Sequence, residues 1–274
     1  MSGGVLHAAV LGSPVAHSLS PVLHRAAYRA LGLTQWRYAA HEVDVPALAP
    51  FVAGLDETWR GLSLTMPLKE AALDLAATVS ATAATTGAAN TLVRSPQGGW
   101  DAHNTDVHGI EAALGPRVVE DGAPATVLGS GATARSALAA LQRLGVRRVR
   151  LAVRGEVRPQ TAAVGAALGL ELEQVALAQW PDAGSSLVVS TLPPAASGEA
   201  AAALGGHRVA GATLLDVVYA DWPTPLARAA AATGFDVVPG IDMLVHQAAA
   251  QVELMTGLDA PVEAMREAAE DATA

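Results

Sequence analysis

The chain has 274 residues, 51% of them hydrophobic and only 4% aromatic, so its core must be built from Ala, Val and Leu in one large domain or two ordinary ones. A formal net charge of −9 argues against a nucleic-acid or anionic-membrane partner, either of which would favour a basic face. The absence of Cys excludes disulfides, thiolate catalysis and Cys-based metal sites.

The start Met1-Ser2-Gly3-Gly4 shows no basic segment followed by a long apolar one. No uninterrupted apolar run reaches the roughly 18 residues that a spanning helix needs. The default expectation is a cytoplasmic protein. Residues 5–12 read as a strand that stops at Ser13-Pro14. Residues 21–31 form an amphipathic helix, with Pro21 at its first position and Ser20 as an ordinary cap. A strand over 36–43 and a helix over 45–52 follow. Residues 61–65 make a short strand, and 67–77 a helix opened by Thr65-Met66-Pro67. Residues 91–94 and Trp100 flank Gly98-Gly99 as a hairpin. The first hundred residues thus alternate strand and helix, which predicts an α/β domain with some parallel pairing.

A helix over 106–114 and a connector over 115–124 lead to a second α/β series. Strands are predicted over 126–128, 148–153, 187–190, 213–217 and 235–238. Helices are predicted over 132–144 (closed by Gly145), 160–168 and 225–232. A helical period runs from 241 to 255, and a final helix from about 261 to 269.

The most informative stretch is 125–135. An apolar run precedes Gly129-Ser130-Gly131-Ala132-Thr133-Ala134, and an Ala/Leu-rich segment follows. Glycines let the backbone turn sharply and approach a pyrophosphate, while a helix N-terminus offers unpaired N–H groups. The match alone is weak, and a plain strand–helix turn shares it. Its place between strand and helix is the confirming context. The next strand ends at Val153-Arg154-Gly155, where a site for the unphosphorylated cofactor would carry Asp or Glu. A guanidinium suits a 2′-phosphate, so NADP is expected over NAD. The alternatives are that Arg154 is merely solvated, or that Glu156 weakens the phosphate site.

The amino-terminal half holds polar clusters at strand and helix ends. Ser18 and Ser20 share one turn, and Thr65 ends a strand. Lys69 falls in the first turn of the expected helix, where the dipole disfavours a cation. Ala89-Asn90-Thr91-Leu92 and Asn104-Thr105-Asp106 add amide, hydroxyl and carboxylate groups, which also serve commonly as caps. The eight His are scattered with no ligand spacing, so no metal site is expected.

Together these motifs resemble the shikimate dehydrogenase family over nearly the whole chain. Ser18-Leu19-Ser20-Pro21 resembles its substrate-binding Ser-x-Ser-Pro turn, and Thr65-Met66-Pro67-Leu68-Lys69 its Thr-x-Pro-x-Lys segment. Ala89-Asn90-Thr91-Leu92 and Asn104-Thr105-Asp106 match two further substrate-side motifs. Asp216-Val217-Val218-Tyr219 with Thr224-Pro225-Leu226, and Gly240, Met243 and Gln247 within the closing motif, complete the register. The resemblance implies reversible reduction of 3-dehydroshikimate to shikimate with NADPH. It makes Lys69 and Asp106 catalytic, and Ser18, Ser20, Thr65, Asn90, Tyr219 and Gln247 substrate-binding. Gly129, Ser130, Gly131, Ala132, Thr133, Arg154, Val217, Gly240 and Met243 would hold NADP.

The implied fold is an amino-terminal α/β substrate domain (1–105 plus 240–274) and a doubly wound, Rossmann-type NADP domain (106–239), with the carboxy-terminal helices returning to the first. The two are expected to close on substrate, a small molecule; for the oligomeric state a homodimer is entertained. Departures from the family pattern are Ser63 for Asn, Ala132 for a third glycine, and Val153 and Gly155 beside Arg154. The competing readings are a quinate or aminoshikimate paralogue using NAD, and a catalytically idle dinucleotide-binding regulator.

Overall fold

The computed structural model describes residues 4–115, 123–205, 207 and 211–273. The connector expected over 115–124 lies mostly outside them. The chain forms two compact units, Met1–Thr105 with Val245–Ala274, and Asp106–Leu244.

The first unit contains β1 (Leu6–Gly12), α1 (Ser20–Ala30), β2 (Trp36–Glu42), α2 (Val45–Ala53), β3 (Trp59–Leu64), β4 (Thr78–Val79), α3 (Ala81–Thr86), β5 (Thr91–Arg94) and β6 (Trp100–His103). Its sheet runs β2-β1-β3-β5-β6-β4. β1 pairs parallel with β2 and β3, whereas β5 pairs antiparallel with β3 and β6. Alternation along β1 explains the two cores. Ala9 and Leu11 pack with Leu48, Leu62 and Leu92, while Ala8 and Val10 pack with Tyr28, Trp36 and Tyr38. α2 is capped by Asp44, whose carboxylate accepts from the Ala47 N–H at 3.0 Å, and α3 by Ser80, which accepts from the Ala83 N–H at 3.3 Å.

The second unit contains α4 (Asp106–Leu114), β7 (Ala125–Leu128), α5 (Ala132–Arg143), β8 (Arg148–Val153), α6 (Pro159–Ala167), β9 (Glu171–Ala176), β10 (Leu187–Ser190), α7 (Pro194–Ala203), β11 (Thr213–Asp216), α8 (Pro225–Thr233) and β12 (Asp236–Pro239). The strand order β12-β11-β10-β7-β8-β9 is that of a doubly wound sheet, and every neighbouring pair is parallel. Both faces are buried, as such sheets require. Val127, Val189 and Leu215 enter one core, and Leu128, Val188 and Leu214 the other. α9 (Gly240–Thr256) begins in this unit and continues into the first, where α10 (Val262–Asp271) packs on α1. Among the described residues no helix is long and apolar enough to cross a membrane.

Two local expectations need correction. Residues 67–77 do not form an α-helix; a turn leads into a 3-10 segment, Ala71–Leu75. The Lys69 carbonyl, which an α-helix would pair with the Leu73 N–H, instead accepts from the Ala89 N–H at 2.7 Å, and Leu73 N bonds Glu70 O. The helix-dipole argument for Lys69 therefore lapses. Ser20 does not cap α1 either: it is the first helical residue, and its side chain reaches the Tyr38 phenol. Among unexpected elements, β9 is an edge strand carrying Glu171, Glu173 and Gln174, with only Leu172 and Val175 packing inward.

His24 on α1 is fully buried, stacked on Tyr38 at 4.0 Å, with Nδ1 bonded to the Ser20 carbonyl at 2.9 Å. Burial pushes its pKa down to about 4. The folded state therefore binds fewer protons than the unfolded one between pH 6.5 and 4, and stability is lost as pH falls through that window. Urea unfolding at pH 7 and pH 5 should show a loss on the order of 2 kcal/mol from this group. His24→Phe should flatten that dependence; an unchanged pH slope would contradict the assignment.

Candidate active site

In the first unit the site is built where β1, β3 and β5 end. Gly12 closes β1, and a Cβ there would stand 3.0 Å from the Met66 carbonyl, so only glycine lets the 65–66 turn lie against it. Thr65 N donates to Leu11 O at 2.9 Å and Ser13 N to Met66 O at 3.0 Å. This joins the loop that carries Ser18 and Ser20 to the turn that carries Thr65. Within that loop Ser18 Oγ accepts from the Ser20 N–H at 3.3 Å. Lys69 is half-buried, its carbonyl tied to Ala89, while Leu64 N donates to Asn90 O at 2.7 Å. Thr65 and Lys69 are thereby held beside Asn90.

Asn90 is buried, and its amide is fully engaged. Oδ1 accepts from the Thr105 N–H and the Thr91 hydroxyl, both at 2.8 Å. Nδ2 donates to Thr105 Oγ1 at 2.9 Å and to Gln247 Oε1 at 3.2 Å. Gln247 comes from α9, more than 150 residues away, so the returning helix completes this cluster. Hydroxyls and carboxamides are thus gathered in one unit, with the Lys69 backbone running beside them. Such a set suits a small, polyhydroxylated ligand, each of whose oxygens needs its own donor or acceptor.

In the second unit β7 ends at Leu128 and α5 starts at Ala132. Gly129 has φ +108°, and a Cβ there would lie 2.7 Å from Thr191 Oγ1. Gly131, the N-cap of α5, has nothing within 4 Å of a Cβ position and supplies no side-chain cap. No side chain caps the first N–H groups of α5, at Ala132 and Thr133, and they stand at the point where the strand order reverses. Ser130 is held from the next strand–helix connection: its Oγ accepts from the Arg158 N–H and its carbonyl from the Thr161 hydroxyl, both at 2.8 Å. Arg154, just past β8, is exposed on that same connection, as is Arg158.

At the end of β11, Asp216 is buried and accepts from the Thr224 hydroxyl at 2.7 Å. Burial raises its pKa, and hydrogen bonds from Thr224, Val218 and Ser190 oppose that rise. It thereby anchors the segment bearing Val217 and the half-buried Tyr219. Gly240 packs on that segment, with a Cβ position only 2.5 Å from the Val217 carbonyl carbon. Met243 is buried one turn later. Asp106, the first residue of α4, is buried and follows Thr105 directly in the chain.

Sequence reasoning named Thr105 within the Asn104-Thr105-Asp106 motif but not its grip on Asn90, and it missed two further contributors. Gln251, one helical turn past Gln247, bonds Ser63, Asn90 and Thr91; the i, i+4 spacing of the two glutamines was the available signal. Arg158 carries none, because only its N–H bond to Ser130 brings it to the loop. Among the described residues no group of three or more His, Asp or Glu is placed to hold a metal.

A glycine turn at the switch point of an all-parallel, doubly wound sheet, joined to a mixed-sheet unit rich in amides and hydroxyls, places the chain in the class of two-unit α/β proteins with a Rossmann-type dinucleotide fold. Comparison with known proteins narrows the class. Residues 10–92 match the family described as shikimate dehydrogenase substrate binding domain, and 240–270 the shikimate 5'-dehydrogenase C-terminal domain. Shikimate dehydrogenase (NADP(+)) of Synechococcus sp. (strain JA-3-3Ab) is 38% identical, covering 98% of this chain and 94% of the relative. The crystal structure of Mycobacterium tuberculosis shikimate dehydrogenase is 43% identical with a TM-score of 0.86, covering 96% of this chain and 99% of that one. That of shikimate 5-dehydrogenase from Thermus thermophilus in complex with NADP(H) and shikimate is 34% identical with a TM-score of 0.83, covering 98% and 100%. The chain belongs to the shikimate dehydrogenase family.

The glycine loop gives a direct test of its geometry. Gly129→Ala should cost at least about 1 kcal/mol, from the positive φ and the Thr191 contact. Gly131→Ala should leave unfolding within about 0.5 kcal/mol of wild type. Equal losses in thermal unfolding would contradict the turn described.

Proposed function

We propose that the protein is an NADP-dependent dehydrogenase that interconverts shikimate and 3-dehydroshikimate. The observation that carries this reading is the cluster of Thr65, Lys69, Asn90 and Gln247 in one unit of a chain whose relatives bear that name and activity. The substrate is a ring acid with three hydroxyls and a carboxylate. Ser18, Ser20, Thr65, Tyr219 and Gln247 would supply short donors and acceptors for it, Asn90 would join them by exchanging its Thr105 Oγ1 bond for a substrate oxygen, and neutral hydroxyls suffice for the carboxylate. A site of this kind discriminates against analogues that lack a hydroxyl, because its own polar groups would be left unpaired.

The residues present fit NADP. The Gly129–Thr133 turn leaves room for a pyrophosphate at the uncapped N-terminus of α5. Arg154 would pair with the 2′-phosphate, and Arg158, fixed to Ser130, brings a second exposed guanidinium residue to the same connection. Val217, Gly240 and Met243 would line the nicotinamide side. When bound, NADP supplies a hydride acceptor or donor for the substrate's carbinol carbon.

The chain's own contribution is binding, orientation and proton movement. Lys69 Nζ takes the hydroxyl proton as the alcohol becomes a ketone, and returns it in reduction. Asp106 holds the ammonium and bonds the neighbouring substrate hydroxyl. The domains of the reading are a substrate domain (1–105 plus 240–274) and an NADP domain (106–239). A cytoplasmic location, a homodimer and a small-molecule partner, rather than nucleic acid or membrane, belong to the same proposal.

Initial rates with shikimate and quinate against NADP and NAD test the reading. Shikimate with NADP should give the highest kcat/KM, and quinate turnover with NAD that equals or exceeds it would overturn the assignment. Lys69→Ala should lower kcat by about 10²–10⁴ with a modest change in KM; near-wild-type turnover would remove Lys69 from the chemistry. Arg154→Ala should weaken NADPH far more than NADH, whereas equal losses would mean that Arg154 does not read the phosphate.

A further inference from the structure

A line of buried hydrogen bonds runs through the first unit behind the cluster just described. The Tyr38 phenol donates to Ser63 Oγ at 2.6 Å, and Ser63 donates to Gln251 Oε1 at 2.8 Å. Gln251 Nε2 donates to Thr91 Oγ1 at 2.9 Å and to the Asn90 carbonyl at 3.1 Å. Thr91 donates to Asn90 Oδ1 at 2.8 Å, and Asn90 Nδ2 donates to Gln247 Oε1 at 3.2 Å. Tyr38, Ser63, Asn90, Thr91, Gln247 and Gln251 are all buried. At its other end the Tyr38 phenol also meets the Ser20 side chain.

The line has a single sense. A phenol is a reluctant acceptor, and burial keeps Tyr38 protonated by raising its pKa, so it donates. Each hydroxyl and amide beyond it then accepts on one side and donates on the other. Asn90 holds its oxygen toward two donors, the Thr91 hydroxyl at the end of this line and the Thr105 N–H, both at 2.8 Å, and its nitrogen toward Gln247. Gln247, accepting through Oε1, must turn its N–H groups elsewhere. Five bonds thus lead from Tyr38 to the Gln247 amide, through residues on β2, β3, α9 and β5, and together with the Thr105 N–H they support its polarity.

We infer that Gln251, acting with Tyr38, Ser63 and Thr91, is a positioning residue that fixes the amide orientation of Asn90 and Gln247, so that Gln247 meets the substrate as a hydrogen-bond donor. None of the four needs to touch the substrate for this. The inference rests on the function proposed above.

The test separates polarity from packing. Gln251→Glu keeps the shape but replaces the donor, so the Thr91 hydroxyl turns to the new carboxylate and abandons Asn90 Oδ1. Thr91→Val deletes the hydroxyl at constant shape, and Thr91→Ser retains it. Gln251→Glu and Thr91→Val should each raise the KM for shikimate about tenfold, with the KM for NADP within twofold of wild type. Thr91→Ser should stay within twofold for both. If Gln251→Glu does not fold, the Thr91 pair decides. Folded variants with unchanged shikimate KM, or Val and Ser variants equally impaired, would overturn the inference.

Failure of the functional reading is distinguishable, because wild type would then not turn over shikimate with NADP. In that event the side-chain amide protons of Asn90 and Gln247 report by nuclear magnetic resonance. They should be protected from exchange in wild type and exposed in Thr91→Val. Equal exchange in the two proteins would overturn the fixed orientation.

Discussion

The Asn90 carboxamide is the constraint on which the first unit depends. It is buried, and a buried amide left unpaired would cost about 1–3 kcal/mol per group. Its bonds reach Thr91 at the start of β5, Thr105 at the end of the unit's first segment, and Gln247 on the returning helix. Its carbonyl also receives Leu64 N and Gln251 Nε2. One residue therefore ties β3, β5 and α9 together and sets the positions of the side chains read here as binding substrate. The core around it is made of small aliphatic groups, which pack but do not specify direction; the polar line supplies the direction.

The second unit depends on a different device. Its strands are short and apolar on both faces, so the sheet is stable only when helices cover both sides. That winding reverses between β7 and β10, and at the reversal the Gly129–Gly131 turn leaves the N-terminus of α5 open. Gly129 must be glycine because its φ is +108° and Thr191 lies against it. At Gly131 a Cβ would have no atom within 4 Å, so nothing in the described fold requires glycine there, and the cause lies instead with the pyrophosphate proposed for this turn.

Much of this was legible in the sequence. The strands over 126–128 and 187–190 are largely apolar runs bounded by turns, that over 148–153 ends in the apolar Leu151-Ala152-Val153, and each is present within a residue. Gly145, Gly234 and Gly257 adopt positive φ just past the helices they end. The segment after Met66-Pro67 was illegible as anything but a helix, because its Ala and Leu spacing is helical. The deciding bond, from Ala89 to the Lys69 carbonyl, is a tertiary one. β9 was hidden for the opposite reason: an edge strand keeps its charges, and Arg150 pairs with Glu173 at 2.8 Å there. In the candidate site, residue types and motif order revealed Asn90, Lys69 and Gln247, but not the order of donors and acceptors. Gln251 and Thr105 become meaningful only once the strands and α9 are in register.

The proposed reaction carries hydride from the alcohol carbon of shikimate to NADP. Shikimate bearing deuterium at that carbon, incubated with the enzyme and NADP, follows this transfer. Deuterium should appear on the nicotinamide of the NADPH formed, in step with 3-dehydroshikimate production. Deuterium that stays wholly on shikimate, or emerges only in water, would contradict it.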